Sequence, residues 1–178
     1  MMTNLKKIAT IQSTSGEEFF VNVGTTEKQT EQLIHFANTD PEVRRFTSDP
    51  KRFRDRKAFD RWRKKGRVIY TLTDENDDLL GIIWLGKKEI PQRDFTENFD
   101  PQDYKVTFGI RIYGAARGKG LARPFMAETF NHFSPKGVWL ETSGENIAAV
   151  RAYTNFGFRK ITEPDESGKI LMILPRRI

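Results

Sequence analysis

Glycines and basic residues alternate in one short segment of the chain, a combination that suits phosphate binding. The segment consists of Arg117, Gly118, Lys119, Gly120, Leu121 and Ala122. It follows a β-type sequence and precedes an amphipathic pattern, which predicts a turn from a strand into a helix. Glycine lets the backbone approach a ligand, and the first amides of a helix have no partner within it. With the helix dipole and two cations, these amides could hold a diphosphate; a simple strand-to-helix turn is the alternative.

A second pattern of chemically useful residues follows at helical spacing. Asn146, Ala149, Tyr153 and Gly157 stand at positions i, i+3, i+7 and i+11. The first three therefore share one face of a predicted helix, and the glycine ends it. An Asn amide can donate and accept, a small Ala leaves room for a ligand, and a Tyr hydroxyl can donate a proton. An ordinary core-facing helix with a capping residue would show the same spacing.

Together and in this order, the two segments resemble the GCN5-related N-acetyltransferase (GNAT) superfamily. Residues 117–122 are similar to its acyl-CoA diphosphate loop. Residues 146–158 match its Asn-x-x-Ala-x-x-x-Tyr-x-x-x-Gly-Phe helix at every spaced position. Two features differ from the family pattern: Ala115 stands where a Gln or Arg is usual, and Pro124 lies early in the following helix. The resemblance covers most of the chain and is strongest over residues 105–158.

The resemblance implies that acetyl-CoA is the acyl donor and names the residues that would hold it. It assigns cofactor binding to residues 117–122 and to Asn146, Ala149 and Tyr153. It also implies that the backbone of Ile110, Arg111 and Ile112 pairs with the pantetheine arm of the cofactor. One backbone amide of this strand would hold the thioester oxygen, so the side chains there are loosely constrained.

Acetyl transfer to an amine needs a proton donor for the leaving thiolate, and Tyr153 is the candidate acid. Its ordinary pKa of about 10 lies above the value of about 8.5 for a thiol, so it stays protonated. Without the motif, a core tyrosine would be the simpler interpretation. The sequence contains no cysteine, which excludes an acyl-cysteine intermediate. We therefore expect the amine to attack the thioester directly in a ternary complex.

Glu141 is the candidate general base. It precedes Asn146 by five positions in a predicted strand, and this stretch resembles the Leu-Glu-x-x-x-x-Asn segment of ribosomal-protein N-terminal acetyltransferases, whose Glu is the base. A Glu with an ordinary pKa of about 4.3 would need desolvation or a water relay to serve as a base. An exposed strand carboxylate without a catalytic role, with a water chain serving instead, is an equal alternative.

The order of predicted elements indicates the α/β class, with helices flanking a mixed, mostly antiparallel central sheet in a GNAT-like acyl-CoA N-acyltransferase fold. We expect one domain over residues 1–178 and a loop over 91–103. The predicted helices cover residues from about 27 to 40, from about 50 to 65, from 121 to 133 and from 146 to 156. The predicted strands cover residues 8–12, 19–23, 68–73, 79–85, 105–113, 138–142, 158–161 and 170–174.

The amino-acid composition excludes some kinds of metal site and a membrane-spanning segment. The 178 residues carry a net charge of +6 and include neither a cysteine nor an apolar run long enough to span a membrane. Thiolate metal sites are excluded, neither histidine has a metal partner in the sequence, and we expect no metal. We expect a cytoplasmic protein, a monomer or homodimer, that acts on a primary amine of a small molecule or a protein N-terminus.

Positive charge is concentrated in residues 43–67, which hold twelve basic and three acidic side chains. A solvated helix face is the simplest interpretation. A nucleic-acid or ribosome-associated binding module is a second one, with Phe53, Phe59 and Trp62 as stacking groups. A CoA-binding GNAT fold without catalysis is a third. The basic segment favours an acidic or neutral acceptor over a polyamine.

Overall fold

Eight strands form one mixed sheet flanked by five α-helices in the computed structural model, which describes residues 5–47 and 49–175. The strands are β1 (Lys6–Gln12), β2 (Glu18–Val23), β3 (Val68–Thr73), β4 (Leu79–Lys87), β5 (Val106–Ile112), β6 (Gly137–Ser143), β7 (Arg159–Lys160) and β8 (Lys169–Pro175). The helices are α1 (Glu27–Thr39), α2 (Pro41–Phe46), α3 (Arg56–Arg63), α4 (Ala122–Phe133) and α5 (Ile147–Phe156). This architecture confirms the predicted α/β class.

Neighbouring strands of the sheet are mostly antiparallel. The strand order is β1-β2-β3-β4-β5-β6-β8-β7. β2 pairs antiparallel with β1 and β3, and β8 pairs antiparallel with β6 and β7. β5 and β6 are parallel, and α4 connects them, because parallel strands need a crossover segment. The predicted mixed, mostly antiparallel sheet is therefore confirmed, although β7 is shorter than the strand predicted over residues 158–161.

Asp40 separates two helices where the sequence predicts only a helix end. Its backbone is extended, with φ −75° and ψ 116°, so α1 ends there as the following proline predicts. The Asp40 carboxylate then accepts hydrogen bonds from the amides of Glu42 and Val43 at 3.0 and 3.3 Å. Pro41 occupies the first position of α2, where the missing amide costs no helical hydrogen bond. α2 was not predicted.

α3 is shorter than the helix predicted over residues 50–65. It begins after Asp55, whose carboxylate accepts a hydrogen bond from the Ala58 amide at 2.8 Å. An Asp in this role satisfies an amide that has no partner within the helix, and it thereby fixes where the helix begins. Residues 50–55 form turns and bends instead.

Within the described residues, the chain divides into two compact units. The first comprises the residues up to Trp84 together with Ile110–Phe133. Its apolar core contains Leu33, Val43, Phe53, Phe59, Trp62, Ile69, Leu79, Ile82 and Tyr113. The three aromatic residues that a nucleic-acid-binding module would use for stacking are thus buried in this core, at 1%, 1% and 8% exposure. The expected single domain stays a prediction.

The second unit comprises Leu85–Gly109 and the described residues from Ser134 onward. Its core packs around Trp139, whose indole Nε1 donates to the Lys88 carbonyl at 2.8 Å. The predicted loop is confirmed, since residues 91–100 contain no helix or strand and Pro101–Asp103 form one 3₁₀ turn. Among the described residues, no helix has the length and apolar character that crossing a membrane requires.

Candidate functional site

The predicted phosphate loop forms a tight turn between β5 and α4. A 3₁₀ turn over Gly114–Ala116 leads into it, and α4 begins at Ala122. Gly118 has φ +76° and Gly120 has φ +74°, values that side chains with a Cβ rarely adopt. At Gly120 a Cβ would also come within 2.7 Å of the Thr14 methyl group. The loop therefore depends on glycine at these two positions.

Four amides of this loop are free to bind a ligand. Within the part of the chain that the structure describes, nothing accepts a hydrogen bond from the amides of Gly118, Gly120, Leu121 or Ala122. Successive free amides in a turn with positive φ values form a concave anion-binding surface, and the N-terminus of α4 adds its partial positive charge. Pro124 does not disturb this end, because the amide it lacks would have no partner in the first turn. The geometry suits a diphosphate.

The two cationic side chains of the loop are engaged within the first unit. Arg117 Nη2 lies 2.9 Å from Asp40 Oδ2, and Lys119 Nζ lies 2.9 Å from Glu17 Oε2. The Thr14 amide also donates to the Lys119 carbonyl at 3.0 Å. Lys119 in turn lowers the pKa of Glu17 through its hydrogen bond. These contacts attach the loop to the β1–β2 turn and to Asp40, so the free amides, rather than these paired cations, are the groups open to phosphate.

The strand residues predicted to contact pantetheine lie where β5 is not paired with β6. The parallel ladder joins Val106 to Val138 and Thr107 to Trp139, and it leaves Ile110–Ile112 outside it. Backbone groups of a strand that lack a neighbouring strand can pair with an extended ligand instead. This part of β5 therefore retains the backbone hydrogen-bonding capacity that the sequence analysis requires.

α5 carries the second motif as predicted. Asn146 is its N-terminal cap, and the Asn146 side-chain oxygen accepts a hydrogen bond from the Ala149 amide at 3.2 Å. Tyr153 is 7% exposed, and its ring lies 6.2 Å from the ring of Phe108 and 5.7 Å from that of Phe158 between centroids. Burial raises the pKa of Tyr153 above the ordinary value of a phenol. Its hydroxyl is therefore a neutral hydrogen-bond donor at physiological pH.

Glu141 belongs to an ion-pair network in the second unit. Its Oε2 lies 2.6 Å from Arg93 Nη2, and its Oε1 lies 3.6 Å from Lys169 Nζ. Arg93 also contacts Asp165 at 2.8 Å. Hydrogen bonds from the Lys169 amide and from Ser167, together with the Arg93 charge, lower the pKa of Asp165 to about 2. A carboxylate has about four acceptor positions, so Glu141 keeps some free despite its two cationic partners.

The structure thus places the predicted site residues in two groups, one in each unit. The first unit contains Ile110–Ile112 and residues 117–122, and the second contains Glu141, Asn146, Ala149 and Tyr153. Sequence reasoning missed Arg93, because a cation in an irregular loop has no periodicity that would indicate its partner. It also missed the role of Asp40, although an Asp before Pro was a usable signal for a capped helix.

Comparison with known protein families finds a match over most of the chain. A family model described as an acetyltransferase (GNAT) domain matches residues 24–159. This match includes the loop, β5, Glu141 and α5. No curated protein matches the sequence.

Several solved structures share the fold. The GNAT domain of S. lividans PAT superposes with a TM-score of 0.71 at 14% identity, over 93% of this chain and 95% of that chain. Spermidine N-acetyltransferase from Vibrio cholerae, in complex with CoA and spermine, gives 0.66 at 17% identity, over 88% and 95%. Aminoglycoside acetyltransferase AAC(6')-Ib, in complex with CoA, gives 0.61 at 18% identity, over 88% and 95%.

The backbone conformation of the loop predicts that replacing each of three glycines by alanine lowers the free energy of unfolding by a different amount. Gly120→Ala should lower the free energy of unfolding by about 2 kcal/mol or more, because it adds a steric clash to the strain of a positive φ. Gly118→Ala, with the same strain and no neighbour within 4 Å, should cost about 1 kcal/mol. Gly114→Ala, the matched control without either problem, should stay within about 0.5 kcal/mol of wild type. Denaturant unfolding measures all three, and equal costs would contradict the described loop conformation.

Proposed function

The chain belongs to the GNAT acetyltransferase family, and from this premise we propose that it transfers an acetyl group from acetyl-CoA to a primary amine. The amine is on a small molecule or a protein N-terminus and attacks the thioester directly. The observation that carries the proposal is the set of four free amides at Gly118, Gly120, Leu121 and Ala122. A diphosphate needs several hydrogen-bond donors for which no carboxylate competes, and these four amides meet that requirement.

In this proposal the cofactor is bound mainly through the backbone. Residues 117–122 hold the diphosphate, and Ile110–Ile112 pair with the pantetheine arm. An amide of that strand donates to the thioester oxygen, where negative charge develops as the amine attacks. Asn146 and Ala149 are the proposed cofactor contacts on α5, where Asn146 retains its side-chain amide group for a ligand because only its oxygen is used by the cap. Bound CoA in two structures of the same fold supports the choice of donor.

Tyr153 acts as the acid in the proposed mechanism. Collapse of the tetrahedral intermediate breaks the carbon–sulfur bond and leaves a thiolate, which needs a hydrogen bond or a proton. The raised pKa of Tyr153 keeps its hydroxyl protonated for this purpose. Because a thiol has the lower pKa, complete proton transfer is uphill, and the main contribution of Tyr153 is a strong hydrogen bond to the leaving sulfur.

Glu141 accepts a proton from the ammonium form of the acceptor, directly or through a water molecule, and the resulting neutral amine then attacks the thioester. The ammonium group has an ordinary pKa of about 8 for an α-amine and about 10.4 for an alkyl amine, so it is mostly protonated at neutral pH. A base must have an acceptor position free, and the two cationic contacts of Glu141 leave at least one of its lone pairs unused. Arg93 and Lys169 fix the orientation of the carboxylate.

Replacing Tyr153 by Phe tests the transfer chemistry. We expect CoA release with a panel of primary amines and peptides to fall about 100-fold, with CoA affinity unchanged, because only the donor to the leaving sulfur is lost. Tyr104→Phe is the matched control, since it removes the hydroxyl of another buried tyrosine of the second unit. An unchanged rate in Tyr153→Phe would remove its acid role. No CoA release by the wild type with any amine would favour a CoA-binding fold without catalysis.

Comparison of Glu141→Gln with Arg93→Gln tests whether Glu141 acts as a base or only forms a structural ion pair. Both changes break the 2.6 Å contact, but only the first removes the proton acceptor. We expect Glu141→Gln to lower kcat about 100-fold at pH 7 and to recover as the pH rises toward the pKa of the amine, which then loses its proton to water. Arg93→Gln should retain most of the activity. Equal losses in the two variants, with no recovery at high pH, would show that Glu141 serves only the ion pair.

A further inference from the structure

A small cavity in the first unit contains an arginine that the proposed chemistry does not use. The cavity has a volume of about 10 Å³ and is lined by residues of α1, α2 and the connection to α3, together with Arg111 of β5. Thr47, Asp49 and Phe53 are among these residues. Only the backbone of Arg111 was assigned to the cofactor. Its side chain is available for a separate role.

The Arg111 guanidinium is held rigidly but is incompletely paired. Its Nη2 donates to Thr47 Oγ1 at 2.9 Å, and its central carbon lies 5.0 Å from the ring of Phe53 and 5.7 Å from that of Trp84. Nη1 is buried and makes no hydrogen bond of standard geometry to a described residue, and the neighbouring Tyr113 hydroxyl is likewise buried without one. A buried donor without a partner is costly, so such a group calls for a ligand or water.

Two further arginines approach the same place, and together with Arg111 they form what we call the arginine cluster: Arg52, Arg67 and Arg111. The Arg52 guanidinium lies 5.2 Å from the ring of Trp84. Burial, and after it the neighbouring charge of Arg111, lowers the pKa of Arg52, and Arg67 contributes in the same direction. Arg67 has two buried guanidinium nitrogens, Nε and Nη1, for which no described residue is an acceptor. Positive charge therefore accumulates here.

The negative charge around the cluster is insufficient to balance it. Of the described acidic residues only Asp49 lines the cavity, and it is exposed. Its Oδ2 lies 3.9 Å from Arg52 Nε, which is too long for a hydrogen bond. Partly buried cations that repel each other are stabilised most by an anion that reaches their unpaired donors. Asp40, the other described carboxylate whose charge acts on Arg111, is already paired with Arg117.

We propose that this cavity and the arginine cluster bind a carboxylate group of the acceptor amine. The planar fork of Arg111 matches a carboxylate, and the cavity has room for one water-sized atom such as a carboxylate oxygen. The Thr47 hydroxyl accepts from Arg111 and so keeps its own hydrogen for the ligand. The inference rests on the proposed acetyl transfer and specifies its substrate class, an amine that carries a carboxylate. It also gives the basic segment a function in binding the acceptor.

Tryptophan fluorescence tests the cavity without requiring turnover, because Trp84 contacts the guanidinium groups of Arg52 and Arg111. We expect titration with acetate at constant ionic strength to give a saturable change and titration with neutral acetamide to give none. Arg111→Gln should weaken acetate binding about 10- to 100-fold, the effect of losing one charge-assisted contact. Equal responses to acetate and acetamide, an Arg111→Gln titration like that of wild type, or tighter binding of inorganic phosphate would overturn the carboxylate assignment.

Two more variants keep this test valid even if Arg111→Gln folds poorly. Asp49→Asn removes the one acidic side chain that lines the cavity and should strengthen acetate binding about threefold to tenfold, which misfolding cannot produce. Arg61→Gln removes an exposed charge of the same basic segment and should leave binding unchanged. Weaker binding in Asp49→Asn, or an Arg61→Gln loss as large as that of Arg111→Gln, would contradict the proposal.

Turnover with matched amines separates this inference from the proposed function. Amino acids such as β-alanine should release CoA at a kcat/KM at least tenfold higher than their amides, and Arg111→Gln should remove this preference. Equal turnover of acids and amides would overturn the carboxylate pocket and leave acetyl transfer standing. Specific acetate binding without CoA release from any amine would support the pocket and contradict acetyl transfer.

Discussion

The proposed cofactor binding depends on four backbone amides, those of Gly118, Gly120, Leu121 and Ala122, that have no partner among the described residues. Gly118 and Gly120 have positive φ in the turn that contains these amides, and the N-terminus of α4 follows directly. The ion pairs of Arg117 with Asp40 and of Lys119 with Glu17 hold the loop in this conformation. The capping role of Asp40 at α2 connects the loop to the helical part of the first unit. The amide donors are thus preorganised, so binding of a diphosphate does not include the entropic cost of ordering them.

The two proposed binding sites of the first unit, the glycine loop and the arginine cluster, differ in whether their cations have carboxylate partners. Arg117 and Lys119 have carboxylate partners, and their charges are largely neutralised before a ligand arrives. The arginine cluster has Asp49 and Asp40 as acidic neighbours, of which Asp40 is already paired with Arg117, and it keeps buried nitrogens without a hydrogen bond to any described residue at Arg67 and Arg111. A cation that is already paired adds little to binding, whereas desolvated cations without partners gain most from an anion. This difference supports the proposal that cofactor phosphate binds to backbone amides and that the charge of the acceptor binds to side chains.

Local patterns in the sequence predict much of the fold and of the cofactor loop, because each depends on neighbouring residues. The β-rich strand segments, the Asp-Pro helix end after α1 and the glycine that ends α5 are local signals, and all three are confirmed. Contacts between distant residues were not predictable. Arg93 and Glu141 are 48 positions apart, and the neighbours of Arg111 come from several elements. The start of α3 was misjudged because the basic residues before Asp55 are also good helix formers.

Calorimetry with fragments of the cofactor tests the central claim most directly. We expect CoA and 3′-dephospho-CoA, which both contain the diphosphate, to bind the wild-type protein with similar Kd values. Pantetheine, which lacks the diphosphate, should bind about 100-fold more weakly, because several charge-assisted hydrogen bonds to amides are lost. Equal affinity for pantetheine and CoA, or no binding of CoA at low ionic strength, would contradict the role of the loop and the function built on it.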